Sequence, residues 1–110
     1  MKNGHHYYVY ILECSDGSYY TGVTNNLERR IWEHETGFNT NCYTFKRRPL
    51  KLRYSTHLTD IKQAIAWEKQ IKGWSRKKKE ALFNEDWEEI KRLAQNYTEY
   101  PRNPPSTSSG

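Results

Sequence analysis

The chain has 110 residues, 35% of them hydrophobic and 28% charged, with a net charge of +5; this supports one small core and departs from the composition of a disordered chain. No apolar run is long enough to cross a bilayer, and Met1 to His6 carry no secretory apolar stretch, so a cytoplasmic protein with no membrane partner is expected. The C-terminal end contributes only Glu99 and Arg102 to the charge, which leaves the positive excess on the folded part and points to a polyanionic partner.

Residues 7 to 14, Tyr-Tyr-Val-Tyr-Ile-Leu-Glu-Cys, are β-branched and aromatic, and a Ser15-Asp16-Gly17-Ser18 turn hands over to Tyr19-Tyr20-Thr21-Gly22-Val23. This predicts a β-hairpin. A two-residue Asp16-Gly17 loop would put Tyr10 and Tyr20 on opposite faces of the ribbon, whereas a three-residue loop or a bulge would bring them together. Thr24-Asn25-Asn26 offers capping oxygens to a helix carrying Leu27, Arg30, Ile31 and His34, with Arg30 and His34 one turn apart.

Gly37 to Asn41 is loop chemistry, and Leu50 to Thr56 alternates as a third strand. Thr59-Asp60 opens a second helix running to about Gly73; Ser75 caps a short basic helix, and Asn84 is the expected cap of a last one bearing Trp87, Ile90, Leu93 and Ala94. From Thr98 onward the prolines and serines read as disordered. A tight turn between the first two strands excludes a doubly wound parallel sheet, so the expected fold is α/β of the α+β type, a small three-stranded antiparallel sheet flanked by helices.

Cys14 and Cys42 are expected to be unpaired packing residues, and the scattered histidines lack the i, i+4 spacing of a zinc site. Basic residues cluster at Lys69, Lys72 and Arg76-Lys77-Lys78-Lys79, and again at Lys46, Arg47, Arg48, Lys51 and Arg53, with Trp74, Tyr43, Phe45 and Tyr54 among them. That mixture suits phosphate contacts beside stacking surfaces. In the second helix, Glu68 falls inside the stripe of Ile61, Ala64, Ile65 and Ile71, roughly 20° from Ile61 in projection. A carboxylate there is costly unless paired, hydrogen-bonded or metal-bound. Either the helix rolls and Glu68 pairs with Lys72, or Glu68 holds an ion.

Tyr8-Val9-Tyr10, then Tyr20-Thr21-Gly22 ten residues on, Arg30 ten beyond that, His34 and Glu68 together resemble the GIY-YIG nuclease superfamily, and most closely its small stand-alone bacterial proteins. The likeness runs over residues 7 to 80. Tyr8-Val9 replaces Gly-Ile and Thr21 replaces Ile, so the Tyr, Gly, Arg and Glu skeleton carries it. The resemblance implies a metal-dependent endonuclease that hydrolyses phosphodiester bonds with structure-directed or weak sequence specificity, and it favours DNA over RNA.

On that reading Tyr10 helps to activate water, Tyr20 orients phosphate or water, Arg30 contacts the scissile phosphate, His34 assists, and Glu68 holds Mg²⁺ or Mn²⁺. Nearby cations would favour a Tyr10 phenolate. Tyr43, Arg47, Arg48, Lys72, Arg76, Lys77 and Lys78 are the expected nucleic-acid contacts. The implied organisation is a domain over 1–83, a helical extension over 84–97 and a tail over 98–110. Glu80 stands where many catalytic members carry an asparagine, and the alternative is a non-catalytic nucleic-acid-binding module that keeps the fold.

Overall fold

The computed structural model describes residues 5–98, with side chains as far as residue 94; all but the first residue of the expected tail lies outside them. The chain divides into two compact units, Met1–Gly73 and Trp74–Gly110.

The first unit is built on a three-stranded antiparallel sheet of order β2-β1-β3, from β1 (Tyr7–Glu13), β2 (Tyr19–Thr24) and β3 (Lys51–Leu58). The central strand β1 supplies the buried Val9, Tyr10, Ile11 and Leu12, because it alone has neighbours on both edges. Cys14 N–H donates to Ser18 O at 2.8 Å and Gly17 N–H to Cys14 O at 2.9 Å, closing a three-residue loop of Ser15, Asp16 and Gly17. Gly17 has φ +86°, the left-handed conformation such a loop needs at its last residue. Tyr10 therefore pairs with Gly22 and Leu12 with Tyr20, which puts Tyr10 and Tyr20 on one face. Of the two registers left open by the sequence, this is the one that unites the tyrosines.

Helix α1 (Leu27–Thr36) starts at Asn26, whose side chain accepts from Arg29 N–H at 3.1 Å. It ends at a left-handed Gly37, with Phe38 N–H bonded to Glu33 O at 3.0 Å. The segment from Phe38 to Leu50 includes a short 3₁₀ turn at Phe45–Arg47 and is tied to the hairpin by Ser15 N–H donating to Arg47 O at 2.8 Å.

Helix α2 (Ile61–Lys72), capped by Asp60, packs across β1 and β2. Its buried residues are Ala64 and Ile71, while Ile61 and Ile65 are exposed. The helix is thus rolled away from the stripe expected from the sequence: Ala64 and Ile71, two turns apart on one face, are buried, and the first two isoleucines fall at the margin. Glu68 stays close to that face, its side chain 13% exposed, and Lys72 Nζ lies 3.6 Å from it.

The second unit holds α3 (Arg76–Phe83), capped by Ser75, packed on α4 (Trp87–Thr98). Asp86, not Asn84, caps α4: its carboxylate accepts from Glu89 N–H at 3.2 Å. Asn84 instead closes α3, and Glu85 at φ 53° turns the chain before the next helix begins.

Candidate active site

Three elements bring Tyr10 (β1), Tyr20 (β2), Arg30 and His34 (α1) together. The Tyr10 hydroxyl lies 3.0 Å from His34 Nε2, and the Tyr20 ring centroid is 6.3 Å from that of Tyr10 and 5.2 Å from that of His34. Arg30 has its Nε 3.2 Å from Glu33 Oε1. Beside them is a cleft of about 210 Å³ lined by Tyr20, Arg30, Glu33, His34, Asn39, Cys42 and Thr44.

Tyr10 itself is 0% exposed and stands behind this lining. Its phenol crosses directly over Gly22, where an added Cβ would fall 2.5 Å from the hydroxyl oxygen. The space that the absent side chain of Gly22 leaves is filled by Tyr10. Gly22→Ala should therefore cost about 1–3 kcal/mol through overpacking and shift the Tyr10 hydroxyl off His34. A chemical denaturation series reads the first, and loss of the Tyr10–His34 contact in a structure of the variant reads the second.

Behind the cleft, His34 Nδ1 is 2.8 Å from the hydroxyl of Thr44, a residue buried to 1%. The Thr44 hydroxyl donates to Cys42 Sγ at 3.4 Å. Cys14 and Cys42 are free thiols, and Cys42, expected only to pack, borders the cleft. Glu33, Asn39 and Cys42 carried no sequence signal as site residues, since nothing local marks which loop residue a fold will lay against a helix.

Burial pushes both tyrosine phenols above their ordinary range, aided at Tyr10 by Tyr20 and at Tyr20 by Cys42, and Arg30 offsets only part of this. The expected cationic support for a Tyr10 phenolate is thus outweighed by desolvation among the protein's own groups. His34 adds no charge near neutrality, because burial and then Arg30 lower its pKa, with Glu33 opposing. The unfolded chain consequently binds more protons than the native one between the two His34 pKa values. The stability due to this residue is full above the ordinary value of about 6.5 and is lost as pH falls through the lowered folded value. Thermal unfolding of His34→Gln should show a flatter acid limb than the wild type.

Tyr43 stacks on Tyr20 with centroids 6.2 Å apart and 18° between planes, and the Arg47 guanidinium lies over the Tyr43 ring at 3.8 Å. Arg47 also pairs with Asp16 at 3.1 Å, and the Tyr43 hydroxyl donates to Ser18 at 3.0 Å. Tyr43 is therefore held by contacts within the chain and latches the loop over Tyr20. Arg48 is held by Phe45 O at 2.9 Å and lies over the Phe45 ring. Lys72 is paired with Glu68. Arg76, Lys77 and Lys78 lie in the second unit, where Arg76 meets Glu80 at 3.2 Å and Lys78 covers the Trp74 ring at 4.5 Å.

Glu68 does not line the cleft, though its charge reaches Tyr20 and helps to raise that phenol's pKa. No group of three or more His, Cys, Asp or Glu among the described residues is placed to hold a metal. A single half-buried carboxylate with one exposed lysine partner fits a hard ion that keeps most of its waters and takes phosphate oxygens, the habit of Mg²⁺, and does not fit an all-protein cage.

A family profile described as the GIY-YIG catalytic domain matches residues 6–81. The chain belongs to the GIY-YIG family. It is 44% identical over 77 residues to a UPF0213 protein of Halobacterium salinarum, covering 70% of this chain and 99% of the relative. A UPF0213 protein of Bacillus pumilus is 40% identical over 81 residues, 74% of this chain and 82% of that one. A solution NMR structure of an E. faecalis protein, 28% identical, superposes with a TM-score of 0.51 over 96% of this chain and all of its own. The α+β architecture with a three-stranded antiparallel sheet and four helices is thus that of small GIY-YIG proteins, a nuclease-type family. No described helix of this GIY-YIG protein is long and apolar enough to cross a membrane.

Proposed function

We propose that this chain is a metal-dependent endonuclease that hydrolyses phosphodiester bonds in nucleic acid, DNA before RNA. The observation that carries the reading is the convergence of Tyr10, Tyr20, Arg30 and His34, drawn from β1, β2 and α1, at one cleft. Arg30 is the cation of that cleft and its guanidinium can fork onto a phosphate, neutralising charge that grows in the transition state. Tyr20 stands beside it to orient phosphate or water.

His34 Nε2, 3.0 Å from the Tyr10 hydroxyl, is placed to relieve it of a proton. Glu68 is the residue that would hold Mg²⁺ or Mn²⁺, which when bound supplies charge stabilisation to the phosphoryl oxygens. In the first unit Arg47, Arg48 and Lys72 supply positive potential for nucleic acid, the first two from a loop already locked by their own contacts, and Arg76, Lys77 and Lys78 supply it in the second unit.

The test is cleavage of labelled single-stranded, duplex and branched DNA and of RNA with Mg²⁺ or Mn²⁺ and after chelation. Metal-dependent product is expected; its absence with every substrate would overturn the reading. The complete burial of Tyr10 favours a second reading, a nucleic-acid-binding module that does not cut. Salt-sensitive binding with no product in that assay would establish it.

A further inference from the structure

We propose that Thr44 is a positioning residue that fixes His34 as the tautomer protonated on Nδ1, leaving Nε2 as the acceptor that faces the Tyr10 hydroxyl. This rests on the reading of the cleft as a nuclease site, but the structural argument stands on the donors and acceptors alone.

The Thr44 hydroxyl donates to Cys42 Sγ at 3.4 Å, so its oxygen is left to accept from His34 Nδ1 at 2.8 Å. Cys42 Sγ, at 3.9 Å from Nδ1, is a second acceptor on the same side of the ring. With Nδ1–H donating to Thr44, Nε2 is left to accept from the Tyr10 hydroxyl at 3.0 Å.

The opposite tautomer would aim Nε2–H at the phenol oxygen, and the Tyr10 proton, in a fully buried side chain, would lose its acceptor. Leaving one buried donor unpaired disfavours that arrangement by a factor of about ten or more. Thr44 is suited to the task because it is buried to 1% and held by the same loop that Arg47, Tyr43 and Ser15 tie to the hairpin.

The consequence for the reaction is a proton path that needs no free phenolate. As a water oxygen bonds to phosphorus, its proton passes to Tyr10 while the Tyr10 proton passes to His34 Nε2. The P–O bond to the leaving oxygen breaks, that oxygen takes a proton from solvent, and His34 returns its proton through Tyr10 to solvent. One water and one phosphodiester give a phosphomonoester and an alcohol.

The experiment is a long-range ¹H–¹⁵N correlation spectrum of the ring nitrogens of His34 in the full chain, assigned through His34→Gln, which reports the protonated nitrogen directly. The wild type is expected to carry its proton on Nδ1. Thr44→Val, which keeps the shape and removes the hydroxyl, should move the population toward the other tautomer, and Thr44→Ser should restore the wild-type pattern. In cleavage assays Thr44→Val should lower kcat about tenfold with KM little changed, and Thr44→Ser should recover it. A wild-type ring protonated on Nε2 would overturn the proposal even if Thr44→Val failed to fold, and so would a Thr44→Val spectrum identical to that of the wild type. A wild-type ring protonated on Nδ1 that shifts in Thr44→Val, with no cleavage of any substrate, would uphold the positioning and overturn the endonuclease reading.

Discussion

Glu68→Gln should reduce metal-dependent cleavage by roughly two to three orders of magnitude, the several kcal/mol of transition-state charge stabilisation that a bound divalent ion supplies. The amide has the volume of the carboxylate but binds a hard cation poorly, so the fold and the Arg30 cleft are expected to survive. Lys72, exposed and 3.6 Å away, loses a partner, which for a pair open to solvent on one side is worth at most about 1 kcal/mol. Nucleic-acid binding without metal should be nearly unchanged in an anisotropy titration. A variant that cuts as fast as the wild type would remove Glu68 from the mechanism and leave its position in α2 as the ion pair alone.

Arg30→Ala should lower kcat by about 10²- to 10³-fold, the usual loss on removing one donor aimed at developing charge. Arg30→Lys should recover little, since an ammonium cannot fork onto a phosphate. Arg29 is the natural control: it contacts the same Glu33 carboxylate at 3.3 Å, yet its side chain is 74% exposed and points away from the cleft. Arg29→Ala should stay within a few-fold of wild type. Single-turnover rates at saturating substrate separate the two, and equal effects of both changes would assign Arg30 to general charge and not to the scissile phosphate.

The pair of tyrosines shows where sequence reasoning stops. Their spacing placed them on adjacent strands, and the Ser15–Gly17 loop decided that they share a face. Because side chains alternate with a period of two, one residue more or less in that loop reverses the answer. Glu68 was marked out by its place in an apolar stripe, and it does remain largely covered; the roll of α2 that exposes Ile61 and Ile65 follows from how Ala64 and Ile71 seat on the sheet. The cap of α4 moved from Asn84 to Asp86 because α3 runs on through Phe83 and the chain needs Glu85 to reverse.

By itself the sequence determined the hairpin, the capping segments Thr24-Asn25-Asn26 and Thr59-Asp60, the cap at Ser75, the succession of strands and helices, and the spaced residues that mark the family. These depend on side chains within a few positions of one another, or on the order of residues along the chain, and both can be read without coordinates. Only the tertiary structure decided that Tyr10 is buried over Gly22, that His34 is gripped between Tyr10 and Thr44, and that Tyr43 and Arg47 latch the loop over Tyr20. Apart from the Tyr43–Arg47 contact, these join residues ten or more positions apart, and which of them form depends on the packing of a whole core, where each term is small and no single residue type announces its partner.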